Sequence, residues 1–140
     1  MSKWDQRFLE LAQVVATWSK DPSTKVGAVI ADSNNRVISL GFNGSPQGVD
    51  DTYLEREVKL LRTIHAEANA LHFAHRDVTG CHLFVTHPPC CHCAGHLIQR
   101  GIASVTFPAP TRDFLDRWLT SYDAAMTMFS EAGVLVREVS

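Results

Sequence analysis

The sequence has no apolar run long enough to cross a membrane. Its start, Met1-Ser2-Lys3-Trp4-Asp5, lacks the apolar stretch of a secretion signal. Neither a membrane span nor a secreted, disulfide-stapled scaffold is expected, so the four cysteines are read as thiols in a reducing cytoplasm, available to metal. A positive surplus is missing too. Thirteen Lys and Arg against fifteen Asp and Glu leave a net charge of −2, which argues against a nucleic-acid partner and for a small-molecule ligand. Internal repeats, low-complexity tracts and linkers are also absent. With 45% apolar residues over 140 positions, one domain covering 1–140 with a proper core is expected.

What is present is an alternation of helical and strand patterns. Trp4, Phe8, Leu11, Val15 and Trp18 recur at helical spacing, predicting an opening helix capped at Ser2 or Asp5 and stopped by Asp21-Pro22. Val26 to Ile30 and Val37 to Phe42 read as strands joined by the turn Asp32-Ser33-Asn34-Asn35. Residues 43–55 form a long polar loop, and long loops in compact domains are often functional. A helix over 65–75, a strand over 81–86, and a helix over 90–100 closed by Gly101 follow. Then come a strand over 102–107, a long helix carrying Phe114, Trp118, Tyr122, Met126 and Phe129 up to Gly133, and a last strand over 134–139. Strands alternating with helices of these lengths predict an α/β layered domain with helices on both faces of a mixed sheet.

The chemistry is concentrated in two short segments, His65-Ala66-Glu67 and Pro89-Cys90-Cys91-His92-Cys93. Together they read H-x-E…P-C-x-x-C, the pattern of zinc-dependent nucleobase deaminases. His65, Cys90 and Cys93 supply three Zn²⁺ ligands and leave one tetrahedral position open, as a catalytic zinc requires. Cys90 and Cys93 fall at a helix start, three apart and on one face, where the helix dipole favours thiolate. Cys91 is rotated about 100° away and should miss the metal. Glu67 lies two residues from His65 on another face, so it is read as a general acid and base beside the metal rather than as a ligand. The competing reading is a closed structural zinc with His92 or His96 as fourth ligand. His72, His75 and His82 read as surface or core histidines. His87, just before Pro88-Pro89-Cys90, lies close enough to line the site.

With these motifs the chain resembles deoxycytidylate (dCMP) deaminases, within the cytidine deaminase-like superfamily, from the first helix to about Val105. Ser19 to Ala28 looks like that family's segment before its first strand, and Gly41-Phe42-Asn43-Gly44-Ser45-Pro46-Gln47-Gly48 like its G-[YF]-N-G-x-P-x-G loop. The resemblance implies a three-layer α/β/α fold with a five-stranded mixed sheet, and hydrolysis of dCMP to dUMP and ammonia. It implies that Asn43 binds the nucleoside, that the backbone at Ala66 reads the pyrimidine, and that Ser23 and Thr24 approach the 5′-phosphate. Read alone, Asn43 is equally an ordinary Asn-Gly turn residue. After Phe107 the family's aromatic-rich segment near the phosphate is replaced by Pro108-Ala109-Pro110-Thr111-Arg112-Asp113. Arg112 or Arg117 then becomes the candidate phosphate contact, or either is a solvated helix-end charge. The resemblance further implies a homohexamer activated by dCTP and inhibited by dTTP. The loop holding Gly44, Gly48, Asp50 and Asp51 would receive the effector and its Mg²⁺, or serve merely as a flexible connector.

Related readings are less well matched. Riboflavin-pathway deaminases place their second zinc thiol much farther along the chain. tRNA adenosine deaminases call for a basic surface. Free-nucleoside cytidine deaminases typically carry Cys where this chain has His65. A silent nucleotide-binding module of the same fold would have no need of Glu67.

Overall fold

The computed structural model describes residues 2–52 and 55–140. Its elements run α1 (Lys3–Ala16), β1 (Gly27–Ala31), β2 (Val37–Phe42), α2 (Arg56–Arg62), α3 (Ala66–His72), β3 (His82–Val85), α4 (Cys91–Gln99), β4 (Ser104–Pro108), α5 (Arg112–Ala132) and β5 (Leu135–Val139). The strands form one sheet in the order β2-β1-β3-β4-β5. β1 pairs antiparallel with both β2 and β3, whereas β3, β4 and β5 run parallel. The sheet is therefore mixed.

Alternation along the central strands builds three layers. Val29 and Ala31 of β1 and Phe84 of β3 pack with Phe8 and Ala12 of α1 on one face. Ala28, Ile30, Leu83 and Val85 point the other way, into a larger core with Ala66, Ala70, Leu97, Ala125 and Phe129 from α3, α4 and α5. Two glycines let helices lie directly on strand backbone. A Cβ on Gly27 would sit 2.0 Å from the Ala12 carbonyl oxygen of α1, and one on Gly41 2.3 Å from the Ala66 carbonyl oxygen of α3.

Local signals act where expected, with three differences. Ser2 caps α1 through a reciprocal box with Asp5, Asp32 folds the hairpin turn by accepting from the Asn34 and Arg36 amides, and Gly101 follows α4 at φ +80°. α1 stops at Ala16, earlier than Trp18 or Asp21-Pro22 suggest. The buried Ser19 hydroxyl donates to the Asn43 carbonyl and draws the chain off the helix axis. α3 ends at His72 rather than 75. α2 has no counterpart in the periodicity, because none of its residues is buried. The expected loop over 43–55 includes Tyr53 and Leu54, which lie outside the described residues. Its start is fixed by a two-way backbone bridge between Gly44 and Ile64, at 3.1 and 2.8 Å.

Candidate active site

His65 and Cys90 hold equivalent positions. Each is the extended N-cap residue immediately before its helix, α3 and α4 respectively. Cys90 follows Pro88-Pro89 at the carboxyl end of β3, and Ala109-Pro110 follow β4 on the same side. That is the end of an open α/β sheet at which ligands bind. The Cys90 sulfur accepts from the Cys93 amide at 3.4 Å, an N-cap bond made by a thiol.

The three expected ligands meet. His65 Nδ1 lies 3.5 Å from Cys90 Sγ and 3.4 Å from Cys93 Sγ, and all three ligand atoms fall within 4.8 Å of one another. A tetrahedral zinc with Zn–N of about 2.0 Å and Zn–S of about 2.3 Å separates such atoms by roughly 3.5 Å. The donor set therefore fits Zn²⁺. Cys90 ionises readily: the Cys93 thiol, the Cys93 amide and the His65 ring bring it to about 3. The same pairing holds the proton on Cys93 and raises its pKa, and Cys90 beside it raises the His65 ring. A divalent cation would reverse both, since it needs two thiolates and a neutral imidazole. Cys91 stands apart, its amide donating to Ser121 Oγ of α5 at 2.9 Å. His92 and His96 are exposed and lie outside the ligand group. Among the described residues, neither supplies a fourth ligand.

Glu67, in the first turn of α3, is 4% exposed. Burial pushes its carboxyl up to about 7, so it can both accept and release a proton near neutrality. Ala66 opens the same turn, where backbone amides lack intrahelical acceptors and can meet a ligand.

His65, Ala66, Glu67 and Cys90 line a cavity of about 630 Å³. Its walls include Asn43, Ser23 and Thr24, as the family loops imply, together with His87, which sequence proximity alone suggested. Asn43 does more than face the cavity. Its Oδ1 accepts from the Val26 amide and its Nδ2 donates to the Thr24 carbonyl, both at 2.9 Å. One lone pair and one N–H remain for a ligand. The Ser23 and Thr24 amides are committed to Asp21 Oδ1, at 2.8 and 3.0 Å. Thr86 Oγ1 accepts from the Gly27 amide and pairs with His87 Nδ1 at 2.8 Å, and burial lowers the His87 pKa.

Arg117 faces the cavity, but Arg112 is not among its lining residues. Nor are Gly44, Gly48, Asp50 and Asp51. Asp51 pairs with Lys20 at 2.9 Å, and Asp50 accepts from the amide and hydroxyl of Thr52. Arg56 and Lys59 of α2 do line it and escaped the sequence reading. Their only sequence signal is a 3-residue spacing, on a segment whose apolar residues Val58, Leu60 and Leu61 form no buried stripe.

Residues 2–109 match the family described as the cytidine and deoxycytidylate deaminase zinc-binding region. The chain belongs to this family. A deaminase from Aliivibrio fischeri, known as the uncharacterized deaminase in the luxG 3′ region, is 53% identical over 138 residues, covering 97% of this chain and 93% of the relative. Human deoxycytidylate deaminase is 35% identical, covering 97% of this chain and 79% of the human one. The dCMP deaminase of cyanophage S-TIM5, solved in complex with dCMP and dUMP, superposes with a TM-score of 0.82 at 26% identity over 99% of each chain. The His65–Cys90–Cys93 group falls within the matched region. No helix among the described residues is long and apolar enough to cross a membrane.

Proposed function

We propose that the protein hydrolyses dCMP to dUMP and ammonia. One observation carries the reading: His65 and Cys90 of a zinc-fitting triad and a buried, proton-competent Glu67 line a single cavity large enough for a nucleotide. His65, Cys90 and Cys93 would hold Zn²⁺, which would supply the Lewis acidity that makes water nucleophilic near neutral pH. Glu67 takes the proton of the attacking water and passes it to the ring nitrogen beside the amino-bearing carbon. It then takes the second proton, from the hydroxyl now on that carbon, and delivers it to the departing amine, so that ammonia leaves as the C–N bond breaks and the carbonyl forms. The free amide of the first α3 turn, at Ala66, suits a pyrimidine acceptor. The unused lone pair and N–H of Asn43 suit the sugar hydroxyl, and the Ser23 and Thr24 hydroxyls lie toward the phosphate.

The resemblance supports extending this reading to a cytoplasmic homohexamer that supplies dUMP for dTMP synthesis, activated by dCTP and inhibited by dTTP. In the 44–51 loop, an effector's Mg²⁺ would have to displace Lys20 from Asp51. The test is ammonia release from dCMP, dCTP, cytidine and deoxycytidine by the zinc-loaded protein, with and without dCTP or dTTP. Preferred turnover of dCMP is expected, with sigmoidal dependence that dCTP makes hyperbolic. Equal kcat/KM for dCMP and deoxycytidine would remove the monophosphate reading. Hyperbolic kinetics indifferent to both triphosphates would remove only the regulation.

A further inference from the structure

We propose that the substrate's phosphate is gripped by Arg56 and Lys59 of α2 together with Arg117 of α5, two elements that line the same cavity. The inference rests on the monophosphate reading above and adds the residues that recognise the charge.

α2 turns one face to the cavity. Arg56, Lys59, Leu60 and Thr63 all line it, and their spacing of 3, 4 and 7 is one side of a helix. To the same cavity α5 contributes Phe114, Arg117 and Trp118. Among the described residues, the side chains of Arg56, Lys59 and Arg117 form no ion pair or hydrogen bond. Three uncommitted cations thus share one cavity with the zinc triad.

The anions that share it do not cancel them. Asp21 is occupied by the Ser23 and Thr24 amides, and Glu67 is buried beside the ligand group. Only Asp113, one turn before Arg117, is an exposed and unoccupied carboxylate on the cavity wall. The committed amides matter for a second reason. The Ser23–Thr24 loop can offer a phosphate its hydroxyls but not its backbone N–H groups, so it supplies no charge. Guanidinium and ammonium groups supply charge and donors together.

The covalent path fixes the register. Thr63, the extended residue that follows α2 and lines the cavity, is two residues before the candidate zinc ligand His65, and Ile64 between them is bridged both ways to Gly44. The cationic face is therefore held at a set distance from the reacting end of the cavity. A base seated over Glu67 would send its 5′ end toward α2 and α5.

The experiment compares kcat/KM for dCMP and deoxycytidine in the zinc-loaded wild type and in Arg56→Ala, Lys59→Ala, Arg117→Ala and Arg112→Ala. Zinc content is measured on each. The expected result is a fall in the dCMP-to-deoxycytidine ratio of at least about tenfold in Arg56→Ala, Lys59→Ala and Arg117→Ala, carried mainly by a higher KM for dCMP. Arg56→Lys and Lys59→Arg should recover part of the ratio, which a packing defect would not allow. A wild-type ratio retained in all three alanine variants overturns the inference while leaving dCMP as substrate. Collapse of the ratio in Arg112→Ala alone also overturns it. A wild type indifferent to the phosphate overturns the monophosphate reading and this inference with it.

Discussion

At the residue scale, the division of labour between ligand and proton carrier is the sharpest claim. Glu67 sits beside the triad without being one of its three ligand groups. Glu67→Gln is therefore expected to keep zinc and fold while losing about 10²–10⁴ in kcat. Cys93→Ser should instead lose zinc, and Cys91→Ser should retain it. Metal analysis beside turnover separates the three, and near-wild-type kcat in zinc-loaded Glu67→Gln would refute the assignment. The grouping of His65, Cys90 and Cys93 without Cys91 or Glu67 was legible in sequence from the motif spacing, although His65 and Cys90 are extended N-cap residues rather than helical ones. Arg112 shows the limit of such reading. A helix-start arginine and one five residues later look alike on paper, and only the packing of α5 brings Arg117 rather than Arg112 to the cavity wall.

At the element scale, the contact between α3 and β2 has almost no slack. A Cβ on Gly41 would lie 2.3 Å from the Ala66 carbonyl oxygen and 2.4 Å from the Ala70 amide nitrogen, and neither backbone atom can yield alone. Gly41→Ala must push α3 off the strand, and with it His65 and Glu67. The expected cost is about 1–3 kcal/mol of stability, with weaker zinc retention, read from thermal melts and metal content. An alanine variant as stable and as zinc-loaded as wild type would show that α3 is positioned by something else. Elements with a buried stripe, such as α1 and α5, announce themselves through periodicity. α2 does not, since its face serves a cavity rather than a core and its seven residues include none that is buried. The part of the site most exposed to ligand is thus the part least visible in hydrophobic pattern.

At the scale of the whole molecule, alternation predicts strands and helices but not their order in space. That order depends on long-range pairings such as Ala28 with Val85 and Leu83 with Val105, which no local signal contains; the family resemblance supplied the five-stranded mixed sheet and its layers but not the order. The same topology brings together ligands separated by 25 and 28 residues, each pair bracketing α3 and β3. A cation there is a removable cross-link. It closes a loop whose entropy the unfolded chain would otherwise keep, and it joins the start of one helix to the start of another. Folding stability should then follow the free-zinc level, rising by roughly 1.4 kcal/mol for each tenfold increase above the dissociation constant. A melting temperature that ignores both chelator and added zinc would contradict this. The chemical centre would in that case be a passenger on the fold; if stability does follow zinc, the catalytic ion doubles as the clasp of the structure that holds it.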